Sequence, residues 1–155
     1  MSGKIDKRLK DLGIELSAPS APAGTYVPYV VTGNLVFISG QGPMGPKGIE
    51  YQGKVGKEHN AEAGKAAARL TMINVLAQLK AACGGDLDRV TRCVKLLGFV
   101  NATPDFDQQP AVINGASDLV VEIFGEAGRH ARSAVAAPSL PFQITVEIEA
   151  IFEIA

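Results

Sequence analysis

The sequence predicts an α+β fold in which two main helices pack on one face of a mixed β-sheet, with a short helix before them. Three observations predict it. The length of 155 residues fits one domain. Two segments with helical spacing are separated by a strand-like run, and apolar residues alternate with polar ones from Gln143 to Ile154. We therefore interpret residues 1–155 as one domain, in which residues 1–23 form the N-terminal helix and a connection.

The N-terminal part predicts a helix, a connection and a β-hairpin. The helix is indicated by three apolar residues at helical spacing before Gly13, namely Ile5, Leu9 and Leu12. Residues 17–24 are rich in Pro and Gly and predict an irregular connection. Tyr26–Val31 and Leu35–Ser39 flank a turn signal, which is typical of a hairpin. Pro28 cannot donate to a sheet ladder, so the first of these strands is expected at an edge.

Helical spacing predicts two longer helices. Asn60–Cys83 begins with a residue type that caps helices and ends before a pair of glycines, and Pro104–Phe124 is the second. The predicted buried stripe of the first comprises Ala66, Leu70, Ile73 and Ala77, widened by Leu76, Leu79 and Cys83. The stripe of the second comprises Val112, Ala116, Leu119 and Ile123.

The remaining strands are predicted at Val90–Asn101, Ala131–Ala137 and Gln143–Ile154, with a weak strand near Ile49–Gln52. The last strand has one apolar face, and its other face carries three carboxylates. That polar face would meet water in a monomer or be covered by oligomerisation.

Composition excludes several classes of protein. Fifteen Lys and Arg against sixteen Asp and Glu give a net charge of −1, which argues against a nucleic-acid partner. No apolar run approaches the ~18 residues of a membrane span, and the N-terminus lacks the apolar stretch of a signal peptide. Cys83 and Cys93 are the only cysteines in the sequence. We expect both to pack in the core, and so few cysteines suggest a reducing compartment. We expect a cytoplasmic protein.

Strong catalytic motifs are missing from the sequence. It has neither a phosphate-binding loop nor a nucleophile elbow, and His59 and His130, the only histidines, match no metal-ligand pattern. We therefore expect no metal site.

Two regions nevertheless carry a specific signal. The first is the segment GNLVFISGQGP at 33–43. The second combines ARSAV at 131–135, Leu140-Pro141 and VEIEA at 146–150. In this order and spacing they resemble the RidA/YjgF family of imine deaminases. The resemblance runs from about residue 24 to the end, and the N-terminal helix lies outside the short family members, as in a divergent branch.

The resemblance implies a chorismate-mutase-like fold assembled as a homotrimer, with a site at each subunit interface. It also implies hydrolysis of 2-imino acids and their enamine tautomers to 2-oxo acids and ammonia, without a cofactor.

The same resemblance implies roles for individual residues. Arg132 would bind the substrate carboxylate, for which its planar, permanently charged guanidinium is suited. Glu147, fifteen positions later, would position the attacking water and exchange protons. Further pocket residues implied are Ser39, Gly40, Asn114, Ala134 and either Tyr26 or Tyr29. Gly40 could also serve an unusual backbone angle.

Other interpretations of these residues stay open. Arg132 could belong to a structural ion pair, and Glu147 could be a solvated strand carboxylate. His130 would share a strand face with Arg132. The whole protein could instead be a non-catalytic module that binds a small carboxylate, an enzyme acting on some other carboxylate, or an endoribonuclease and translation inhibitor. The low aromatic content and the charge argue against the endoribonuclease.

Overall fold

The computed structural model describes residues 3–155. Its helices are α1 (Lys4–Asp11), α2 (Ala61–Ala82) and α3 (Gln109–Phe124). Its strands are β1 (Tyr29–Thr32), β2 (Leu35–Gln41), β3 (Met44–Gly45), β4 (Gly48–Ile49), β5 (Val90–Asn101), β6 (Ala131–Ala137) and β7 (Val146–Ile154). Short 3₁₀ turns lie at Leu87–Arg89, Gly125–Gly128 and Pro141–Gln143.

Five strands form the main sheet in the order β1-β2-β7-β5-β6. The β5–β6 pair is parallel because α3 crosses over between these strands, and the other pairs are antiparallel. β3 and β4 form a separate two-stranded hairpin. The sheet is therefore mixed, as predicted.

Both long helices lie on the same face of this sheet, so the predicted α+β architecture is confirmed. The core fills the space between the helices and the sheet. Its largest fully buried side chains include Phe152, Met72, Leu76, Leu96 and Ile113. Among residues 3–155 no helix lies across the other face of the sheet, which we call the open face.

The predicted N-terminal helix is present and is fixed to the body by a carboxylate. Asp88 accepts hydrogen bonds from the backbone N–H groups of Lys4 at 2.9 Å and Ile5 at 2.8 Å. These are two of the N–H groups that the first turn of any helix leaves without an intrahelical partner. The two bonds lower the pKa of Asp88. Leu9 is buried against the core, as its spacing predicts.

The second long helix begins later than predicted. Residues 104–108 are not helical, and α3 starts at Gln109 with Pro110 in its first turn. A turn precedes it, closed by a hydrogen bond from Phe106 N–H to the carbonyl of Thr103 at 3.1 Å. Proline is favoured in a first helical turn, and Pro104 and Pro110 both offer that signal.

The predicted stripe of α2 is partly wrong. Ala66 is exposed, and Leu70 and Ile73 are only half-buried. α2 packs against the sheet and against α3 at once, so it buries a wide arc, which includes Gly64, Ala67, Ala68, Thr71, Met72, Asn74 and Gln78. The predicted cap is confirmed, because the Asn60 side chain accepts from Ala63 N–H at 2.9 Å. The predicted stripe of α3 is buried throughout.

Two glycines let α2 and α3 approach closely. A Cβ atom on Gly115 would collide with the backbone carbonyl of Lys65, and one on Gly64 would press on Val112. This contact fixes the position of α3 along α2, and with it the position of Asn114, which precedes Gly115 on α3.

Both cysteines are buried and unpaired, which confirms their prediction as core residues. Burial raises the pKa of the Cys93 thiol to about 12 and also raises that of Cys83. Among residues 3–155, no helix is long and apolar enough to cross a membrane.

Candidate functional site

β7 presents Glu147 on the open face of the sheet. Val146 and Ile148 on either side of it are fully buried under the helices, and strand alternation turns Glu147 the other way. The carboxylate is half-buried. Loss of surrounding water, with a further contribution from the like charge of Glu149, raises the pKa of Glu147.

An irregularity in β2 brings backbone against this carboxylate. Ile38 pairs with Ala150 and Gln41 with Ile148, so β2 carries an extra residue between them. A Cβ atom on Gly40 would lie 2.9 Å from the Glu147 carboxyl carbon. Glycine is required at position 40 because the Glu147 carboxylate approaches it closely. The expectation of an unusual backbone angle is wrong, because Gly40 is not among the positive-φ residues.

Ser39, next to Gly40 in β2, contacts the segment that precedes β1. Its Oγ donates to the carbonyl of Val27 at 2.8 Å, and its backbone N–H donates to that of Pro28 at 2.9 Å. These bonds attach the segment before β1 to β2.

Tyr26, Gly40 and Glu147 share a cavity of about 640 Å³. Tyr29 lies instead in β1 and packs against the core, so the structure places Tyr26 in the cavity with Glu147. Other cavity residues, which sequence reasoning missed, are Ser20, Ala21, Pro22, Ala23, Pro28, Gln41, Gly42, Met44, Ile49, Pro141, Phe142 and Ile144.

Buried amides on α2 fix the cavity walls. Asn74 Nδ2 donates to the carbonyls of Gly42 at 3.1 Å and Met44 at 2.9 Å, and Gln78 Nε2 donates to Ser20 O at 2.9 Å. Both side chains are buried, so losing these acceptors would leave unsatisfied amides in the core.

The rim of the cavity contains strained backbone. Phe142 and Gln143 both have φ of 57°, a region that costs a non-glycine residue roughly 1–2 kcal/mol. Gln52 Nε2 donates to the Phe142 carbonyl at 2.8 Å. Phe142 is 67% exposed and lines the cavity.

Arg132 lies on the opposite face of the sheet. Its Nη1 donates to Asn114 Oδ1 at 2.7 Å and to Ser117 Oγ at 3.2 Å, both on α3. Nε and Nη2 make no hydrogen bond within residues 3–155, and the ion pairs of this part of the chain do not include Arg132. The alternative of a structural ion pair is therefore not supported in the single chain.

Ala134 faces the same side as Arg132. It pairs with Gly98 of β5, a position where any Cβ would run into Ile113 of α3. Ala134 is half-buried and packs against the core.

The structure therefore divides the predicted site residues into two groups. Tyr26, Gly40 and Glu147 line one cavity, with Ser39 next to Gly40 in β2, whereas Arg132, Asn114 and Ala134 lie on the helix side of the edge strand β6. Arg132 pairs with Leu96, which pairs with Ala150, whereas Glu147 pairs with Phe99. Two strands and three residues separate Arg132 from Glu147, about 10 Å in each direction. One small substrate cannot touch both residues of the same chain.

Ser117 is the main residue that sequence reasoning missed on the helix side. Its hydroxyl contacts Arg132, and His130 Nε2 lies 2.8 Å from the same oxygen. A signal existed, because Ser117 follows Asn114 by three positions and so shares its helix face. His130 reaches this group too, as its position two residues before Arg132 predicts.

No three His, Cys, Asp or Glu side chains within residues 3–155 are grouped so that they could hold a metal ion.

The fold points to a known class of protein. A family model described as "YjgF/chorismate mutase-like, putative endoribonuclease" matches residues 6–153. The chain belongs to this YjgF/RidA family, and the predicted chorismate-mutase-like fold is confirmed. Solved family members carry names such as RidA, YjgF and endoribonuclease.

Particular relatives match over nearly the whole chain. Protein TCP17 of Trypanosoma cruzi is 47% identical over 154 residues, covering 99% of this chain and 96% of TCP17. The crystal structure of Atu1372 from Agrobacterium tumefaciens is 47% identical, with a TM-score of 0.92, covering 97% of this chain and 92% of that one. E. coli TdcF, solved with bound serine, is 28% identical with a TM-score of 0.61, covering 89% and 94%.

Proposed function

We propose that this protein is a homotrimeric hydrolase that converts 2-imino acids and their enamine tautomers to 2-oxo acids and ammonia. The observation that carries the proposal is the set of partners that Arg132 has. A permanent positive charge is held by two neutral side chains, with no carboxylate partner within residues 3–155. Such a guanidinium is suited to a carboxylate supplied from outside.

The division of the site supports a subunit interface. The Arg132 group of one copy and the Glu147 group of the next would enclose one substrate between them. The open face also exposes large apolar side chains on three strands, Val30, Phe37 and Val135. An apolar sheet face of this kind favours association with further copies.

The chemistry needs one anion clamp and one proton shuttle. The Arg132 fork would bind the substrate carboxylate. Glu147 would take a proton from water as its oxygen attacks the carbon of the protonated imine, and would return that proton to nitrogen. Glu147 would then take the hydroxyl proton as the C–N bond breaks, which forms the carbonyl of the 2-oxo acid and releases ammonia. The raised pKa of Glu147 brings the carboxyl closer to neutral pH, where one group can both accept and give a proton.

The ligand of one relative supports this proposal. TdcF was solved with serine, which has the carboxylate that Arg132 would bind here. The chain would act in the cytoplasm, which its unpaired buried cysteines suit, and residues 1–155 would act as one domain without a cofactor.

A coupled assay tests the proposal. A dehydratase generates 2-iminopropanoate or 2-iminobutanoate from serine or threonine, and release of the 2-oxo acid is followed with and without this protein. We expect faster release, lost with Arg132→Ala and with Glu147→Gln, while Asp105→Ala on an exposed turn behaves as wild type.

No acceleration across imines of several sizes would contradict the enzymatic assignment. Saturable binding of 2-oxobutanoate without turnover would then identify a binding module. RNA cleavage that withstands a high-salt purification step would identify a nuclease.

A further inference from the structure

We propose that Ser117 and His130 are positioning residues, which fix the rotation of the Arg132 guanidinium so that its Nε–Nη2 edge faces the substrate carboxylate. The inference rests on the proposed function only in naming that carboxylate. The geometry of the network stands on its own contacts.

The donor and acceptor of each hydrogen bond in the network can be assigned by starting from a carbonyl oxygen. His130 Nδ1 lies 2.7 Å from the backbone oxygen of Gly128. A carbonyl oxygen can only accept, so Nδ1 carries the hydrogen. In the neutral ring Nε2 is then an acceptor, and its partner 2.8 Å away is Ser117 Oγ. The serine hydroxyl therefore donates to His130.

This assignment also settles how Ser117 meets Arg132. Because its only proton points at His130, the serine oxygen presents lone pairs to Arg132 Nη1 at 3.2 Å. The other Nη1 hydrogen goes to Asn114 Oδ1 at 2.7 Å. The four groups form one chain of hydrogen bonds in which each bond joins a donor to an acceptor, and such chains reinforce their members.

These contacts leave one edge of the Arg132 guanidinium without an acceptor within residues 3–155. Of its five N–H donors, the two on Nη1 are committed. Nε–H and one Nη2–H point in parallel along the opposite edge, and within residues 3–155 they have no acceptor. That edge matches the two oxygens of a carboxylate.

The backbone around His130 is built closely onto α3. A Cβ atom on Gly128 would collide with the carbonyl of Val120, so the Gly125–Gly128 turn lies directly against this helix. The Gly128 carbonyl therefore has a fixed place from which to orient the His130 ring. Ser117 and Asn114, three residues apart, reach Arg132 from the same helix face.

The test compares single variants in the coupled imine assay. Ser117→Ala and His130→Ala should each raise KM about tenfold, the first by removing a hydrogen bond to the Arg132 charge and the second by freeing the Ser117 hydroxyl to rotate, with kcat changed less than about twofold. His130→Gln, whose amide oxygen can accept from Ser117, should recover most of the affinity. Asp118→Ala and Arg129→Ala are matched neighbours, whose ion pairs run to Lys65 and Glu126, and should leave KM unchanged.

Two results would overturn the inference. One is wild-type KM in both Ser117→Ala and His130→Ala while Arg132→Ala is inactive. The other is equal loss in His130→Ala and His130→Gln, which would show that the ring acts only by filling space.

Nitrogen NMR decides the matter even if the protein hydrolyses no imine. We expect protonated Nδ1 and unprotonated Nε2 for His130, and faster hydrogen exchange at Arg132 Nη1 in Ser117→Ala. A ring protonated on Nε2 alone, or unchanged exchange, would contradict the network. Failure of the proposed function would show instead as no turnover and no carboxylate binding.

Discussion

Gly40 leaves room for the Glu147 carboxylate because it has no side chain. Gly40→Ala would put a methyl group 2.9 Å from the carboxyl carbon and Oε2 of Glu147, so the carboxylate must turn away. Since small misplacements of catalytic groups are costly, we expect kcat/KM for imine hydrolysis to fall at least about tenfold.

The melting temperature of Gly40→Ala should change little, because the carboxylate can rotate. Gly24→Ala is the matched control, since its Cβ would meet the Tyr26 ring at an ordinary 3.4 Å. Full activity in Gly40→Ala would show that the position of the Glu147 carboxylate does not limit the reaction.

Glu147 also makes stability depend on pH in a defined direction. Its pKa is raised above the ordinary value of 4.5, so the folded chain holds the proton more tightly than the unfolded chain. The charged carboxylate therefore destabilises the fold at pH above the raised pKa, and the cost disappears below about 4.5.

Glu147→Gln should accordingly raise the melting temperature at pH 7–8 and match wild type near pH 4. Thermal unfolding at several pH values checks this, with Glu126→Gln on the exposed turn as the control. A constant difference between Glu147→Gln and wild type across this range would contradict the raised pKa.

Sequence reasoning proposed Arg132 and Glu147 as site residues but did not predict how they are distributed. Both were proposed because motif spacing is local in the chain. Their opposite faces follow from the register of β6, β5 and β7, which no local pattern contains. Ser117 was missed because a lone helical serine has no signal until its partner is known.

At the scale of elements, the contact between α2 and α3 depends on having no side chain at Gly115. Alanine is the better helix former by about 1 kcal/mol, so propensity alone predicts that Gly115→Ala is stabilising. The added Cβ would meet the backbone carbonyl of Lys65, which cannot rotate away as a side chain can. Overpacking costs about 1–3 kcal/mol and should win.

We expect Gly115→Ala to lower the free energy of unfolding by about 1–2 kcal/mol, measured by urea denaturation. Asp118→Ala on the exposed side of α3 should change it by less than about 0.5 kcal/mol. A gain in stability in Gly115→Ala would mean that the helices can separate without cost.

Elements were predictable where their pattern is one-sided. β7 alternates, with an interruption only at Ile151, because one of its faces is buried under helices. The stripe of α2 was partly misplaced because this helix is buried on two sides, which blurs helical periodicity. The start of α3 was missed because Pro104 and Pro110 give the same signal, and only the turn at Thr103–Phe106 separates them.

At the scale of the whole molecule, the proposed division of the site would make activity a property of pairs of subunits. Arg132→Ala and Glu147→Gln chains should each be inactive alone. In a trimer that mixes them, some interfaces join an intact Arg132 group to an intact Glu147 group. Random mixing in equal amounts should restore about a quarter of the sites.

The measurement is imine hydrolysis after the two variants are unfolded together and refolded, against each variant refolded alone. Mixing should restore activity, and light scattering should show a trimer in every sample. No recovery in mixed trimers would show that one chain supplies both residues.

The place of β7 in the sheet also bears on how the chain is made. β2 and β5 are separated by 48 residues in sequence, and each pairs with β7 rather than with the other. While the polypeptide is being synthesised, the hairpin of β1 and β2 and the parallel pair of β5 and β6 have no strand to join them until the nine residues of β7 leave the ribosome. The nascent chain must therefore carry two unpaired strand edges, each open to foreign strands, until this last strand arrives.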